Sequence, residues 1–256
     1  MSTVNTFKIG ADPEFIAIDK TGTHVNIKGY TTADAEVAFD HSGDVLEVKP
    51  NPSKFAFRLV RRMQRLLLKH EVSKKLVESG YKFRSGGYVR TSRRYISLGG
   101  HIHFDIPYSS VVDPLTDTKL IALTKMTSYL EALDILPIEH SKYRHRYFQV
   151  EPIRQANDAD RLEFRYMCSW LHSPLAAQIC LTAAKITAMY PELGLVGDVS
   201  MPLLQRWFEK FKNRDVDAAR VVEKIFEPKL KLEARLDLNL QDTWKSLKQL
   251  GGLEGL

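Results

Sequence analysis

Length, composition and charge describe a globular chain and exclude several classes of protein. With 256 residues, of which 44% are hydrophobic and 27% charged, the chain can bury a large core and fold alone. No run approaches the roughly 20 apolar residues of a membrane span, and the N-terminus lacks the apolar segment of a signal peptide, so we expect a cytoplasmic protein. A net charge of +6 favours anionic partners, a class that includes nucleotides, phosphorylated metabolites and nucleic acid.

The first two thirds of the chain combine strand patterns with two long helices. Strands are predicted at 7–18, 23–27, 34–39, 44–49, 81–90 and 96–106, and near 145–150 and 161–167. One helix is predicted from Ser53, a good N-cap, to Gly80, a good C′ residue, and another from Asp113 to Pro137. Because Pro13 has no N–H, the first strand is expected at a sheet edge or with a bulge at its acids.

From Ser173 onward the pattern is helical, with helices predicted at 174–190, 201–213, 216–226 and 242–250. Runs of strands joined by tight turns and interrupted by long helices predict an α+β fold, a mostly antiparallel sheet with one polar face and helices on the other. The last part of the chain lacks polar alternation. We therefore predict a catalytic α+β domain at 1–175 and a helical C-terminal extension at 176–256 packed on it.

In four of the predicted strands, charged or imidazole side chains alternate with other residues. The sets are Asp12 with Glu14, Glu47 with Lys49, His101 with His103 and Asp105, and Arg161 with Glu163 and Arg165. Because successive side chains of a strand point to opposite faces, the members of each set share a face. A strand face that merely contacts water usually carries Thr, Lys, Ser and Glu, whereas these residues are those that bind metals and phosphates. The pattern predicts a functional face.

The acids on this face predict a site for hard divalent cations, because such ions prefer carboxylate oxygens and tolerate an imidazole. The candidate ligands are Asp12, Glu14, Glu47, Glu163 and one of His101 and His103. Several acids together favour magnesium or manganese over zinc. Arg161, Arg165 and the pair Arg144 and Arg146 in YRHRYF would bind phosphates through their guanidinium groups. This combination suggests ATP chemistry, yet the chain has no P-loop, kinase glycine loop or Rossmann fingerprint.

Five motifs, GADPEFIAID, GDVLEVKPNP, GGHIHF, YRHRYF and RLEFR, together resemble those of the carboxylate–amine ligases related to glutamine synthetase and γ-glutamylcysteine ligase. The resemblance is greatest to the small tailed-phage members and covers residues 8 to about 175. It implies a glutamine-synthetase-like catalytic domain that uses ATP and Mg²⁺ or Mn²⁺. The implied reaction forms an amide through an acyl phosphate, from an amine and a small-molecule or peptide carboxylate.

The resemblance also implies roles for individual residues. The metal ligands would be Asp12, Glu14, Glu47, His101 and Glu163. The catalytic residues would be Arg144, Arg146, Arg165 and Glu47. The nucleotide and its ions would be contacted by Arg161, Arg165, His101 and His103. Which of His101 and His103 is the metal ligand stays open. Two alternatives also remain: a zinc hydrolase that uses the His-x-His strand, and a non-catalytic binding protein that keeps the polar face.

Overall fold

The computed structural model describes residues 7–32, 35–40, 43–90, 95–111, 117–137, 152–156, 160–226 and 239–245. The strands are β1 Ile9–Ile18, β2 His24–Val25, β3 Val37–Asp40, β4 Val45–Val48, β5 Lys82–Arg84, β6 Tyr88–Arg90, β7 Tyr95–Ser97, β8 Gly100–Phe104, β9 Ile153–Gln155 and β10 Leu162–Phe164. The helices are α1 Ala56–Lys69, α2 Glu71–Glu78, α3 Thr118–Ala132, α4 Pro174–Met189, α5 Met201–Glu209, α6 Val216–Val221 and α7 Leu240–Lys245. Within these ranges no helix has both the length and the apolar character that a membrane crossing requires.

Eight strands form one sheet, in the order β3-β4-β1-β8-β10-β9, and β2 and β5 pair with the C-terminal part of β1. Strands β6 and β7 form a separate hairpin. All the pairings among the described strands are antiparallel. The predicted α+β class with an antiparallel sheet is confirmed.

One face of the sheet packs against α1 and α4, α3 packs against α4, and together they form the hydrophobic core. Phe15, Phe104 and Phe164 project from β1, β8 and β10 into a single cluster of buried residues that also contains Met63 of α1 and Ile179 of α4. These strand residues occupy the positions that alternation assigns to the apolar face. The cluster includes residues on both sides of position 175, and the division into 1–175 and 176–256 stays a prediction.

The expectation that β1 lies at an edge or carries a bulge was wrong. β1 pairs with β8 from Ile9 to Pro13 without interruption, and with β4 from Glu14. The N–H of Glu14 donates to the Gly99 carbonyl on the β8 side at 2.8 Å. Since successive N–H groups of a strand point to alternate sides, position 13 faces the β4 side, at the point where β4 pairing ends. The proline therefore fits a central strand because its missing donor falls beyond the ladder.

The helix predicted from Ser53 begins three residues later, and a distant residue caps it. The N-cap position is Phe55, which has no side-chain acceptor. Instead, the carboxylate of Asp217 accepts hydrogen bonds from the backbone N–H groups of Ala56 at 2.8 Å and Phe57 at 3.1 Å. A carboxylate at this helix end satisfies donors that have no partner within the helix and interacts favourably with the helix dipole.

The same predicted helix is two helices, because His70 adopts an extended conformation between α1 and α2 and its side chain caps α2. Gly80 does follow the second helix, with a positive φ of 84°. The next helix, predicted from Asp113, begins at Thr118 and is capped by Asp117, which accepts from two backbone N–H groups. Residues 112–116 lie outside the described residues.

Other predicted elements were correct in type but too long. The predicted strands 81–90 and 96–106 each divide into shorter pieces, and 161–167 reduces to Leu162–Phe164. The predicted helix 201–213 ends at Glu209, and a π-helical turn follows α6 over Val222–Phe226. The predicted strand at 145–150 lies outside the described residues. Strand β9, Ile153–Gln155, was not predicted.

Candidate active site

Strand order and register bring the polar sets into one row across the polar face of the sheet, opposite the hydrophobic core. Glu14 of β1 stands directly opposite Glu47 of β4, and Asp12 stands opposite His101 of β8. Glu163 of β10 is opposite His103 of β8. Five sequence-predicted residues, Asp12, Glu14, His101, His103 and Glu163, are thus neighbours, with Glu47 at one end of the row.

The two glycines before His101 let the strand approach the chain that follows β10. A Cβ at Gly100 would lie 2.4 Å from the Cys168 carbonyl oxygen and 2.6 Å from the Trp170 ring. The Trp170 indole N–H also donates to the Gly100 carbonyl at 3.2 Å. Since no side chain fits at position 100, glycine there is required for close packing beneath the site. The Gly99 N–H donates to Glu14 Oε2 at 2.5 Å and so orients that carboxylate.

The His101 ring lies among three carboxylates. Its Nδ1 is 3.4 Å from Asp12 Oδ1 and 3.5 Å from Glu163 Oε1, and its Nε2 is 3.8 Å from Glu14 Oε1. The neighbouring His103 places Nε2 at 3.1 Å from the same oxygen of Asp12. Asp12, Glu14, His101 and Glu163 are all buried, whereas His103 is partly exposed. His101 is therefore the central imidazole of the cluster and His103 the peripheral one.

Glu163 connects the acid cluster to two guanidinium groups. Arg165 places Nε at 3.4 Å from Glu163 Oε1, and Arg154 donates through Nε to Glu163 Oε2 at 2.6 Å. Arg154 was missed, because it belongs to the unpredicted strand β9. The only local signal is a single arginine between apolar Ile153 and Gln155, and its proximity to Glu163 comes from the β9–β10 register.

Of the three other predicted arginines, Arg161 is the one that the structure describes. Arg161 immediately precedes β10 and is near enough to His103 for its charge to affect that imidazole. Arg144 and Arg146 lie outside the residues that the structure describes, and their phosphate-binding roles stay predictions.

Burial and neighbouring charges change how the acids and imidazoles titrate. Burial alone would raise the pKa of Asp12, but His103 and His101 outweigh it and hold this pKa well below its usual value. Burial would lower the pKa of His103, yet the Asp12 carboxylate raises it. Burial raises the pKa of Glu47 to about 7, the charges of Asp12 and Glu14 add to the effect, and Lys49 at 2.7 Å opposes it. The negative charges of the row therefore repel one another, and this repulsion favours the protonated form of Glu47.

The side chains present suit a hard divalent cation in their chemistry. Asp12 Oδ1 and Glu163 Oε1 are buried and, in the described part of the chain, have no well-oriented hydrogen-bond donor. Buried carboxylate oxygens of this kind are the ligands that magnesium and manganese prefer. Among the described residues, no three His, Cys, Asp or Glu side chains already stand in the arrangement of a metal site. An ion would therefore have to replace some of the imidazole–carboxylate contacts that now hold the cluster.

Comparison with solved structures finds matches of low sequence identity, with TM-scores below 0.5. A bifunctional glutathione synthetase from Pasteurella multocida has a TM-score of 0.47 and 10% identity, over 98% of this chain and 50% of its own. The ligase PafA, in complex with the prokaryotic ubiquitin-like protein Pup, has a TM-score of 0.46 and 12% identity, over 96% of this chain and 64% of its own. GmaS without ligand has a TM-score of 0.42 and 14% identity, over 88% of this chain and 70% of its own. The chain thus spans about half the length of the glutathione synthetase.

Family membership comes from the sequence. No curated protein matches the chain significantly. The model of one protein family, described as phage phiEco32-like COOH.NH2 ligase-type 2, matches residues 9–225. This match begins at β1 and extends beyond the last of the motifs. It covers every described strand and most of the helices. The chain therefore belongs to this family of carboxylate–amine ligases.

Proposed function

We propose that the protein is an ATP-dependent ligase that forms an amide through an acyl phosphate. A carboxylate oxygen of the substrate attacks the γ-phosphorus of ATP, the bond from that phosphorus to the β–γ bridging oxygen breaks, and ADP leaves. The nitrogen of an amine then attacks the acyl carbon, loses a proton to the protein, and inorganic phosphate leaves. The observation that carries the proposal is the convergence of Asp12, Glu14 and Glu163 on His101, in a chain of this family.

Divalent cations are part of the proposal. Asp12, Glu14, Glu163 and Glu47, together with His101, would hold Mg²⁺ or Mn²⁺ on the polar face. A bound ion would neutralise phosphate oxygens of ATP and so lower the barrier to phosphoryl transfer. The buried oxygens of Asp12 and Glu163 support this role, because they lack well-oriented donors in the described chain.

The arginines beside Glu163 would bind the transferring phosphoryl group. Arg165 has a mostly buried side chain, and Arg154 is about one-third exposed, so Arg165 is held at the site while Arg154 lies at its margin. A guanidinium offers two parallel N–H groups to phosphate oxygens, which a lysine cannot do. We assign Arg165 to the γ-phosphate and keep Arg161, Arg144 and Arg146 as further phosphate ligands.

Glu47 is proposed as the group that accepts the proton of the attacking amine. It lies at the end of the row beside Lys49, and it is more exposed than the other acids, so an amine can reach it. The substrates would be a small-molecule or peptide carboxylate and an amine, with anionic substrates favoured by the net charge of +6. We expect the reaction in the cytoplasm, in line with two buried cysteines that form no disulfide.

The test is ADP formation by the purified chain with Mg²⁺, ATP and mixtures of amino acids, polyamines and carboxylates. We expect ADP and phosphate in a substrate-dependent manner, and loss of both in Glu163→Gln, which keeps the shape of the side chain. Glu78→Gln, at the exposed end of α2, is the matched control and should behave as wild type. Absence of ADP with every mixture would contradict the proposal.

Metal analysis separates the alternatives. A zinc hydrolase would retain about one tightly bound zinc through His101 and His103, and it would be indifferent to magnesium and ATP. A non-catalytic protein would bind ligands on the polar face without turnover.

A further inference from the structure

A second candidate site lies among the C-terminal helices. A cavity of about 510 Å³ opens between the short 3₁₀ helix Pro191–Leu193, with the loop after it, and helix α5, with the turns that follow. None of its lining residues belongs to the polar face of the sheet. Its volume falls in the range of roughly 300–1,000 Å³ that is typical of ligand sites. We call it the basic groove, after Arg206, Lys210 and Arg214 on its wall.

These three cations form a row. They recur every fourth residue along α5 and the turns that continue it. At a helical rise of about 1.5 Å per residue, adjacent cations of the row are roughly 6 Å apart along the helix axis. All three are exposed. Within the described chain none of them makes a salt bridge, and Glu192 is the only acid among the groove residues. The groove therefore carries an unbalanced positive charge.

The rim of the groove is apolar and unusually exposed. Seven large hydrophobic residues of the described chain are exposed, and three of them, Leu193, Val196 and Val199, lie within seven positions of one another. Val196 is 85% exposed. Val199 also lines a neighbouring cavity of about 270 Å³ that includes Lys125. Clustered apolar side chains rimmed by polar ones are typical of interaction surfaces.

The details of the groove favour a polypeptide over nucleic acid. Single-stranded nucleic acid is bound by aromatic faces on which bases stack. Here Trp207 and Phe211 are buried, and the Trp207 indole N–H donates to the Leu193 carbonyl at 2.8 Å. In an extended peptide, side chains on one face recur at about 6.6 Å, which is close to the spacing of the cations.

We propose that the basic groove docks an acidic polypeptide segment in an extended conformation. Its Glu or Asp side chains would pair with Arg206, Lys210 and Arg214, and its intervening aliphatic side chains would contact Leu193 and Val196. This binding goes beyond the ligase chemistry and does not depend on it. It would bring an acidic protein partner to a surface formed by the C-terminal helices.

The test is fluorescence anisotropy of a labelled peptide in which Glu alternates with Val or Leu, titrated with the full chain. We expect saturable binding that weakens with added salt. The triple variant Arg206→Gln, Lys210→Gln, Arg214→Gln should weaken it about tenfold or more. The matched control, Lys69→Gln, Lys74→Gln, Lys75→Gln, removes the same charge from exposed positions of α1 and α2 and should bind as wild type. A second variant, Val196→Ser, should weaken binding several-fold without a change of charge.

Three results would overturn the proposal. The first is equal binding by wild type and the triple groove variant. The second is an equal loss in the control triple variant, which would indicate net charge alone. The third is tighter binding of a single-stranded DNA oligonucleotide than of the peptide, lost in the groove variant, which would assign the groove to nucleic acid.

Discussion

Substitution of Asp217 by alanine should be among the most destabilising single changes in this protein. The Asp217 carboxylate accepts from the backbone N–H groups of Ala56 and Phe57 and from Lys185 Nζ at 3.0 Å. Lys185 also contacts Asp215 at 2.6 Å, and all three charged side chains are buried. Burial opposes the charge on Lys185, but the two carboxylates raise its pKa, so it stays protonated. The cluster joins α1, α4 and α6.

The expected loss of stability in Asp217→Ala follows from the groups that would lose their partner, Lys185 and the first N–H groups of α1. Removal of one partner of a buried ion pair typically costs about 3–5 kcal/mol, and loss of an N-cap carboxylate costs about 0.5–2 kcal/mol. These costs overlap, and Lys185 would keep Asp215. We therefore expect the free energy of unfolding to fall by about 3–4 kcal/mol in Asp217→Ala, which corresponds to a fall in melting temperature of roughly 10 °C.

Urea and thermal unfolding measure this change, and a second lysine–aspartate pair provides the control. Asp242 and Lys245 contact at 3.2 Å with side chains 66% and 64% exposed, so Asp242→Ala should change the stability by no more than about 0.5 kcal/mol. Amide hydrogen exchange of Ala56 and Phe57 should accelerate only in the Asp217 variant. Equal stability of the two variants would refute the argument that the buried cluster holds the start of α1.

Three further predictions concern the candidate active site. Mg²⁺ at a concentration of about 100 times its dissociation constant should raise the wild-type melting temperature by roughly 5–10 °C, and by more with ATP present. The Glu14→Gln variant should lose this response, and the Glu78→Gln control should keep it. An unchanged response in the Glu14 variant would remove this acid from the metal site. Arg165→Lys should reduce turnover strongly without a change in melting temperature, whereas Arg65→Lys, at an exposed position of α1, should leave turnover unchanged. Full activity of the Arg165 variant would contradict its assignment to the γ-phosphate. In EDTA, Glu47 has a pKa of about 7 in the folded state against a usual value of 4.5, so the folded protein binds more protons between these pH values and becomes less stable as pH rises through them. By neutral pH, the loss in free energy of unfolding that is due to Glu47 should reach up to about 3 kcal/mol, and this loss should be absent in Glu47→Gln. Identical plots of stability against pH for the two proteins would disprove the prediction.

Local patterns in the sequence were enough to identify the members of the polar face. Asp12 with Glu14, His101 with His103, and Glu163 with its neighbouring arginines were each assigned to one face of their own strand by alternation, because a strand has a side-chain period of two wherever it lies in a sheet. Local signals also identified Gly80 beyond α2 and Ser173 at the start of α4. Each of these features depends on residues a few positions apart, and the tertiary structure did not need to be known.

Contacts between distant parts of the chain decided the rest. Arg154 lies beside Glu163 because β9 pairs with β10, and Pro13 fits a central strand because β4 diverges beside it. The start of α1 depends on Asp217, which is 161 positions away in the sequence. The alternation of side chains along a strand determines which face each side chain occupies. The order and register of the strands determine which side chains are neighbours. The polar residues could therefore be predicted from the sequence, but the central position of His101 among three carboxylates is a property of the folded sheet, because only the pairing of β1, β8 and β10 brings those groups within contact.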